Sequence, residues 1–117
     1  MTQPLNEDDI KNILHSLKLG KYETEVYLTL LKHGPQDYKA LIKRSSVPYG
    51  KIYYTLNDLT KKGWVENREH KPKIFYAVDP EGPLINHLIR IKKEMNEIER
   101  SVLRIMPQLK TGYNNTS

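Results

Sequence analysis

A proline set at the entrance to a two-faced helix constrains this chain more than any other feature. Over Ser45–Leu59, the residues Val47, Ile52, Leu56 and Leu59 fall at helical spacing, so one face is expected to be buried. Pro48 drives Val47 out of the helical region and itself sits in the first turn, where a helix tolerates its missing N–H. The result is a tight turn, Ser45-Ser46-Val47-Pro48, feeding a helix from about Pro48 to Lys62 that stops at Gly63. The outward face carries Tyr49, Gly50, Lys51, Tyr54 and Thr55. A helix of this kind fits the major groove of duplex DNA, and side chains near its N-terminal end reach base edges. Lys51 can donate to guanine acceptors or phosphate, and Thr55 offers a methyl or a hydroxyl. Glycine inside a helix costs about 1 kcal/mol relative to alanine, and close approach of the backbone to DNA is a reason to keep Gly50. The other reading makes Tyr49, Tyr53 and Tyr54 packing aromatics. Tyr53, beside Ile52, is expected to pack inward and Tyr54 to face out.

The segments before this stretch read as three helices. Asn6–Leu17 has Ile10, Ile13, Leu14 and Leu17 on one face, a capping Asn6 and acids in its first turn, with Gly20 as its stop. Tyr22–His33 buries Val26, Tyr27, Leu30 and Leu31 and ends at Gly34-Pro35. Asp37 caps a short third helix, Tyr38–Arg44, with Leu41 and Ile42 as its apolar part. Its polar residues Tyr38, Lys39, Lys43 and Arg44, continued by Ser45 and Ser46, are placed to contact the phosphate backbone; a solvated charged face is the alternative.

After Gly63 the periodicity changes. Trp64–Arg68 and Lys73–Val78 are rich in β-branched and aromatic residues, and the polar turn Glu69-His70-Lys71-Pro72 joins them. This is a β-hairpin, a wing, with Val65, Phe75 and Ala77 expected inward. Arg68, His70, Lys71 and Lys73 cluster at its tip, where they either reach phosphates and the minor groove or merely protect an edge strand. The expected core is Ile13, Leu17, Val26, Leu30, Leu41, Val47, Ile52, Leu56, Leu59, Val65 and Phe75. Asp79-Pro80-Glu81 then caps a long helix to about Met106. Its apolar residues Leu84, Leu88, Ile91, Met95, Ile98, Val102 and Ile105 step by 4, 3, 4, 3, 4, 3, a heptad seam. A domain this small cannot cover such a rod, so a second copy is the simplest cover and the chain is expected to be a homodimer. Pro107 is expected to break the helix, leaving residues 110–117 as a flexible tail. The domains expected are thus 6–79, a DNA-binding unit; 80–109, a dimerisation helix; and the tail.

Charge supports a polyanion partner. The chain carries net +5 over 117 residues, and residues 38–76 alone hold nine basic and three acidic side chains, a local +6. A lysine-rich solvated surface is the bland alternative. The acidic, polar N-terminus is not a signal peptide, no apolar run approaches a membrane span, and cysteine is absent, which fits a cytoplasmic protein. The four histidines are scattered, and there is no phosphate-cradling glycine loop and no nucleophile–base pair. Neither an enzyme, a metal site nor a cofactor is expected.

Three stretches carry a family resemblance: Leu19-Gly20-Lys21-Tyr22-Glu23-Thr24-Glu25-Val26-Tyr27, Val47-Pro48-Tyr49-Gly50-Lys51-Ile52-Tyr53, and Leu59-Thr60-Lys61-Lys62-Gly63-Trp64-Val65. From about Leu17 to Leu109 the chain resembles the TrmB-type archaeal transcription regulators. The resemblance implies a mainly α winged helix-turn-helix with a small β-hairpin and a long C-terminal helix. It implies a DNA contact for Lys51, a packing role for Tyr53 and a linker role for 80–109. Many members continue into a sugar-binding domain that has no counterpart in this sequence, so the resemblance carries over no effector-binding role and leaves any small-molecule effector open. The function expected is therefore that of a sequence-specific, double-stranded-DNA-binding transcriptional regulator, a repressor, acting as a homodimer. A winged-helix protein-interaction adaptor is the alternative.

Overall fold

The computed structural model describes residues 5–116; Met1–Pro4 of the N-terminal stretch and Ser117 of the expected tail lie outside them. The element order is α1 (Glu7–Ser16), α2 (Lys21–His33), β1 (Gln36–Asp37), α3 (Tyr38–Arg44), α4 (Tyr49–Lys61), β2 (Val65–Arg68), β3 (Ile74–Ala77) and α5 (Glu81–Thr116). The chain divides into two compact units, one ending at Leu84 and one beginning at Ile85. Among the described residues no helix is long and apolar enough to cross a membrane.

Helix starts follow the capping chemistry. The Asn6 side chain accepts the Asp9 N–H at 2.8 Å, Asp37 accepts that of Ala40 at 2.8 Å, and Asp79 accepts that of Glu81 at 2.9 Å. The stop of α1 differs from expectation. Lys18, with φ 68°, takes the left-handed position, while Gly20 lies at φ −67° and begins α2 instead. There the Gly20 N–H donates to Glu23 Oε1 at 2.8 Å, and a Cβ on Gly20 would stand 3.0 Å from that same oxygen. Lys62 Nζ lies 2.9 and 2.8 Å from the two carboxylate oxygens of Glu23, tying the end of α4 to the start of α2.

The first unit closes on Trp64, Tyr27, Leu19, Val26, Leu30, Leu41, Val47, Ile52, Leu56, Leu59 and Val65, all buried. Trp64 meets Tyr27 edge to face, ring centres 5.1 Å apart. Gly63, at φ 84°, turns the chain so that Trp64 enters the core just before β2. The three strands are antiparallel in the order β1-β3-β2, with Val65 opposite Ala77 and Gln36 opposite Phe75. The two-residue β1 was hidden in the sequence because it is too short to alternate; only its pairing with β3 makes it a strand. Phe75 and Ala77 are half-buried.

Helix α1 corrects the expected core. Leu14 is buried, Leu17 is half-buried, and Ile10 and Ile13 are exposed. Leu31 of α2 is exposed as well. A terminal helix covered along one line buries only the middle of its apolar stripe. Lys11 sits 2.8 Å from Glu25 and fixes α1 on α2, and this hydrogen bond raises the Lys11 pKa.

Tyr27 makes one buried polar contact across the fold, donating its hydroxyl to the Val78 carbonyl at 2.8 Å. Burial, then the nearby Asp79 charge, pushes its pKa up from 10.0 to about 12. A phenol held neutral by folding stabilises the folded state fully below its unfolded pKa and loses that contribution as pH rises through the folded one. The thermal midpoint is therefore expected to fall between pH 10 and 12. Tyr27→Phe, which cannot ionise, should be less stable at neutral pH but show a shallower alkaline decline. Parallel declines in the two proteins would contradict this.

Helix α5 departs most from expectation. It runs unbroken through Pro107 to Thr116, where a break and a tail are expected from the sequence. Proline removes one helical hydrogen bond, that to the Leu103 carbonyl. Leu103 is exposed, so water can take the freed carbonyl. Continuity carries the apolar seam on to Leu109.

Candidate nucleic-acid interface

The site is built on α3, the following turn and α4. At about 100° per residue, Ile52, Thr55, Leu56 and Leu59 form one buried stripe of α4, and this reassigns two residues. Thr55, expected to face DNA, is buried, and its hydroxyl donates to the Lys51 carbonyl at 2.7 Å. Tyr53, expected inside, falls off the stripe and is 60% exposed. Its ring stands edge-on to Tyr54, centres 5.7 Å apart, and Tyr54 is 66% exposed. A Thr55→Val variant is accordingly expected to keep its DNA affinity within about twofold, while Tyr54→Ala should lose affinity measurably in a fluorescence-anisotropy titration. A large loss with Thr55→Val would return that residue to the contact surface.

The N-terminal end of α4 is open. Pro48 is its N-cap and no side chain caps the helix, so its first N–H groups and positive dipole end face outward. Tyr49, Gly50 and Lys51 are exposed, and a Cβ on Gly50 would meet nothing within 4 Å. Nothing inside the molecule therefore calls for glycine here. Tyr49 meets Tyr38 edge to face at 6.5 Å, which joins the starts of α3 and α4 into one surface.

Along α3, Lys39, Lys43 and Arg44 are exposed and Tyr38 is half-buried. Ser46 is exposed, but Ser45 is not available to a phosphate. It is buried at the C-cap of α3, where its hydroxyl donates to the Leu41 carbonyl at 2.7 Å. In the wing, Arg68, His70, Lys71 and Lys73 are all exposed. Two of them have local partners: Arg68 lies over the Tyr76 ring at 5.2 Å, and Lys73 is 3.7 Å from Glu69. The Tyr76 hydroxyl donates to Glu66 at 2.7 Å, which raises the tyrosine pKa and braces the face on which Arg68 rests. Among the described residues no His, Asp or Glu cluster suits a metal ion.

Four residues beyond the expected set lie on this surface. Tyr53 and Asn57 extend the exposed face of α4, and the spacing of Asn57 three residues beyond Tyr54 was the available signal. Lys32 and His33 line one polar groove with Arg44 and Ser46, a juxtaposition that only the fold creates.

The model of a family described as "Sugar-specific transcriptional regulator TrmB" matches residues 14–81. The chain is 35% identical over 120 residues to the HTH-type sugar sensing transcriptional regulator TrmBL1 of Pyrococcus furiosus, covering 94% of this chain and 35% of that protein. It thus spans about a third of that relative's length. Among solved structures, TrmBL2, an archaeal chromatin protein, superposes with a TM-score of 0.69 at 23% identity, over 91% of this chain and 46% of that one. A MarR family transcriptional regulator from Silicibacter pomeroyi gives a TM-score of 0.54 at 9% identity, over 92% and 81%. Both share the winged-helix fold.

Proposed function

The chain belongs to the TrmB family of transcriptional regulators, and from that premise we propose that it binds double-stranded DNA sequence-specifically, as a homodimer, with α4 in the major groove. The carrying observation is the exposed set Tyr49, Gly50, Lys51, Tyr53, Tyr54 and Asn57 on the face of α4 turned away from the core. Lys39, Lys43, Arg44 and Ser46 flank it and hold the phosphate backbone. The wing, with Arg68, His70, Lys71 and Lys73, follows the backbone into the adjacent minor groove. The largely exposed seam of α5, from Leu88 to Leu109, pairs two copies so that two recognition helices meet successive major grooves. The protein works in the cytoplasm and represses by occluding promoter DNA.

Fluorescence anisotropy against genomic duplex fragments at two salt concentrations tests the reading. A protein that neutralises phosphates with its lysines and arginines loses affinity steeply as salt rises. Strong binding at low salt with a steep decline is expected. Absence of binding, or binding indifferent to salt, supports instead a winged-helix adaptor that engages another protein.

A further inference from the structure

From Leu88 onward the seam of α5 is largely exposed in the single chain, with Ile91 half-buried. Leu88, Met95, Ile98, Val102, Ile105 and Leu109 are all exposed, whereas Leu84 packs against the core of the first unit. We propose that a second copy of this chain covers that face with its own α5 running antiparallel, centred between Asn96 and Glu97. This rests on the homodimer reading and adds the direction and register of the two rods.

In heptad terms Leu88, Met95, Val102 and Leu109 occupy position a, and Leu84, Ile91, Ile98 and Ile105 occupy d. Parallel two-stranded coiled coils prefer β-branched residues at a and leucine at d, and this seam is largely the reverse. In the proposed register Leu88 packs on the partner's Ile105, Ile91 on the partner's Val102, and Met95 on the partner's Ile98, each layer occurring twice.

The flanking positions decide more sharply. In a parallel pair Glu99 faces the partner's Glu94, which gives repulsion. In the antiparallel pair Lys92 faces the partner's Glu99, twice over. Ile85 and Met106, apolar residues outside the seam that are exposed in the single chain, then meet each other. Sliding by one heptad in either direction sets Glu99 against the partner's Glu99 or Lys92 against the partner's Lys92. The charges therefore select one register as well as one direction.

The register has a geometric consequence. The two Leu84 residues, where each winged unit runs into its rod, lie about 37 Å apart along the rod at about 1.5 Å rise per residue. In a parallel pair the two Leu84 residues lie side by side instead.

Because the chain has no cysteine, engineered thiols report the pairing directly. Leu88→Cys and Ile105→Cys are made in the full chain and oxidised separately and as an equimolar mixture. In the proposed register each cysteine is about 25 Å from its own copy along the axis, far beyond disulfide reach. Neither variant alone is expected to cross-link, while the mixture should form the mixed disulfide. Efficient cross-linking of each variant alone would overturn the proposal. Should either cysteine loosen the seam, Lys110→Cys carrying a spin label gives a second reading at an outward position. A separation of about 40 Å supports the antiparallel register, whereas one below about 20 Å contradicts it. Lys92→Glu should weaken dimerisation several-fold; unchanged or tighter dimers would contradict the antiparallel register. Light scattering on the unaltered chain separates the two readings, because a monomer there contradicts the homodimer itself and not merely its direction.

Discussion

Trp64→Ala is expected to destabilise the winged unit by about 3–5 kcal/mol, the range for truncating a large buried aromatic. Trp64 is fully buried, and its ring is the edge-to-face partner of Tyr27. Its removal leaves a cavity in the core beside Tyr27, which the surrounding structure fills only in part. The loss is a large share of the roughly 5–15 kcal/mol that holds a small domain folded. Urea denaturation followed by far-ultraviolet circular dichroism measures it, since the only tryptophan is deleted. The midpoint should fall sharply with little change in slope. A shift equivalent to less than about 1 kcal/mol, the typical scale of an ordinary substitution, would contradict the placement of Trp64 at the centre of the core.

Lys51→Ala carries the largest effect expected on binding. Lys51 is exposed on the first turn of α4; its backbone carbonyl accepts the Thr55 hydroxyl, while its side chain points away from the core. Loss of a good base contact costs about 1–3 kcal/mol of discrimination. Specific affinity should therefore drop about tenfold or more, while affinity for unrelated duplex falls much less. The unfolding midpoint should not move. Equal losses on specific and unrelated DNA, with a reduced salt dependence, would make Lys51 a phosphate contact instead.

Most of the fold was legible because local chemistry and tertiary packing agree. The Asn6, Asp37 and Asp79 caps, the Pro48 turn and the hairpin after Gly63 each carry their own signal and appear where expected. What was not legible depends on neighbours. Which side of α1 faces the core is decided by α2, and Lys11 with Glu25 settles it. β1 exists only as the partner of β3. Tyr53 and Thr55 exchange roles because the buried stripe of α4 includes the small polar Thr55, whose hydroxyl is satisfied within its own helix. Periodicity weighted by hydrophobicity alone favours the aromatic ring over the threonine. Pro107 shows the same limit from the other side, since a single missing hydrogen bond on an exposed helix does not end it.

The central claim is that the outward face of α4 and its basic flanks form the DNA-contacting surface. It is tested most directly by amide chemical-shift mapping of the isotopically labelled chain titrated with a duplex selected from genomic fragments. The largest shifts are expected at Tyr49–Tyr54 and Asn57, with further shifts at Lys39–Ser46 and Arg68–Lys73. Shifts concentrated on α1 or on α5 beyond Leu88, with α4 unmoved, would contradict it.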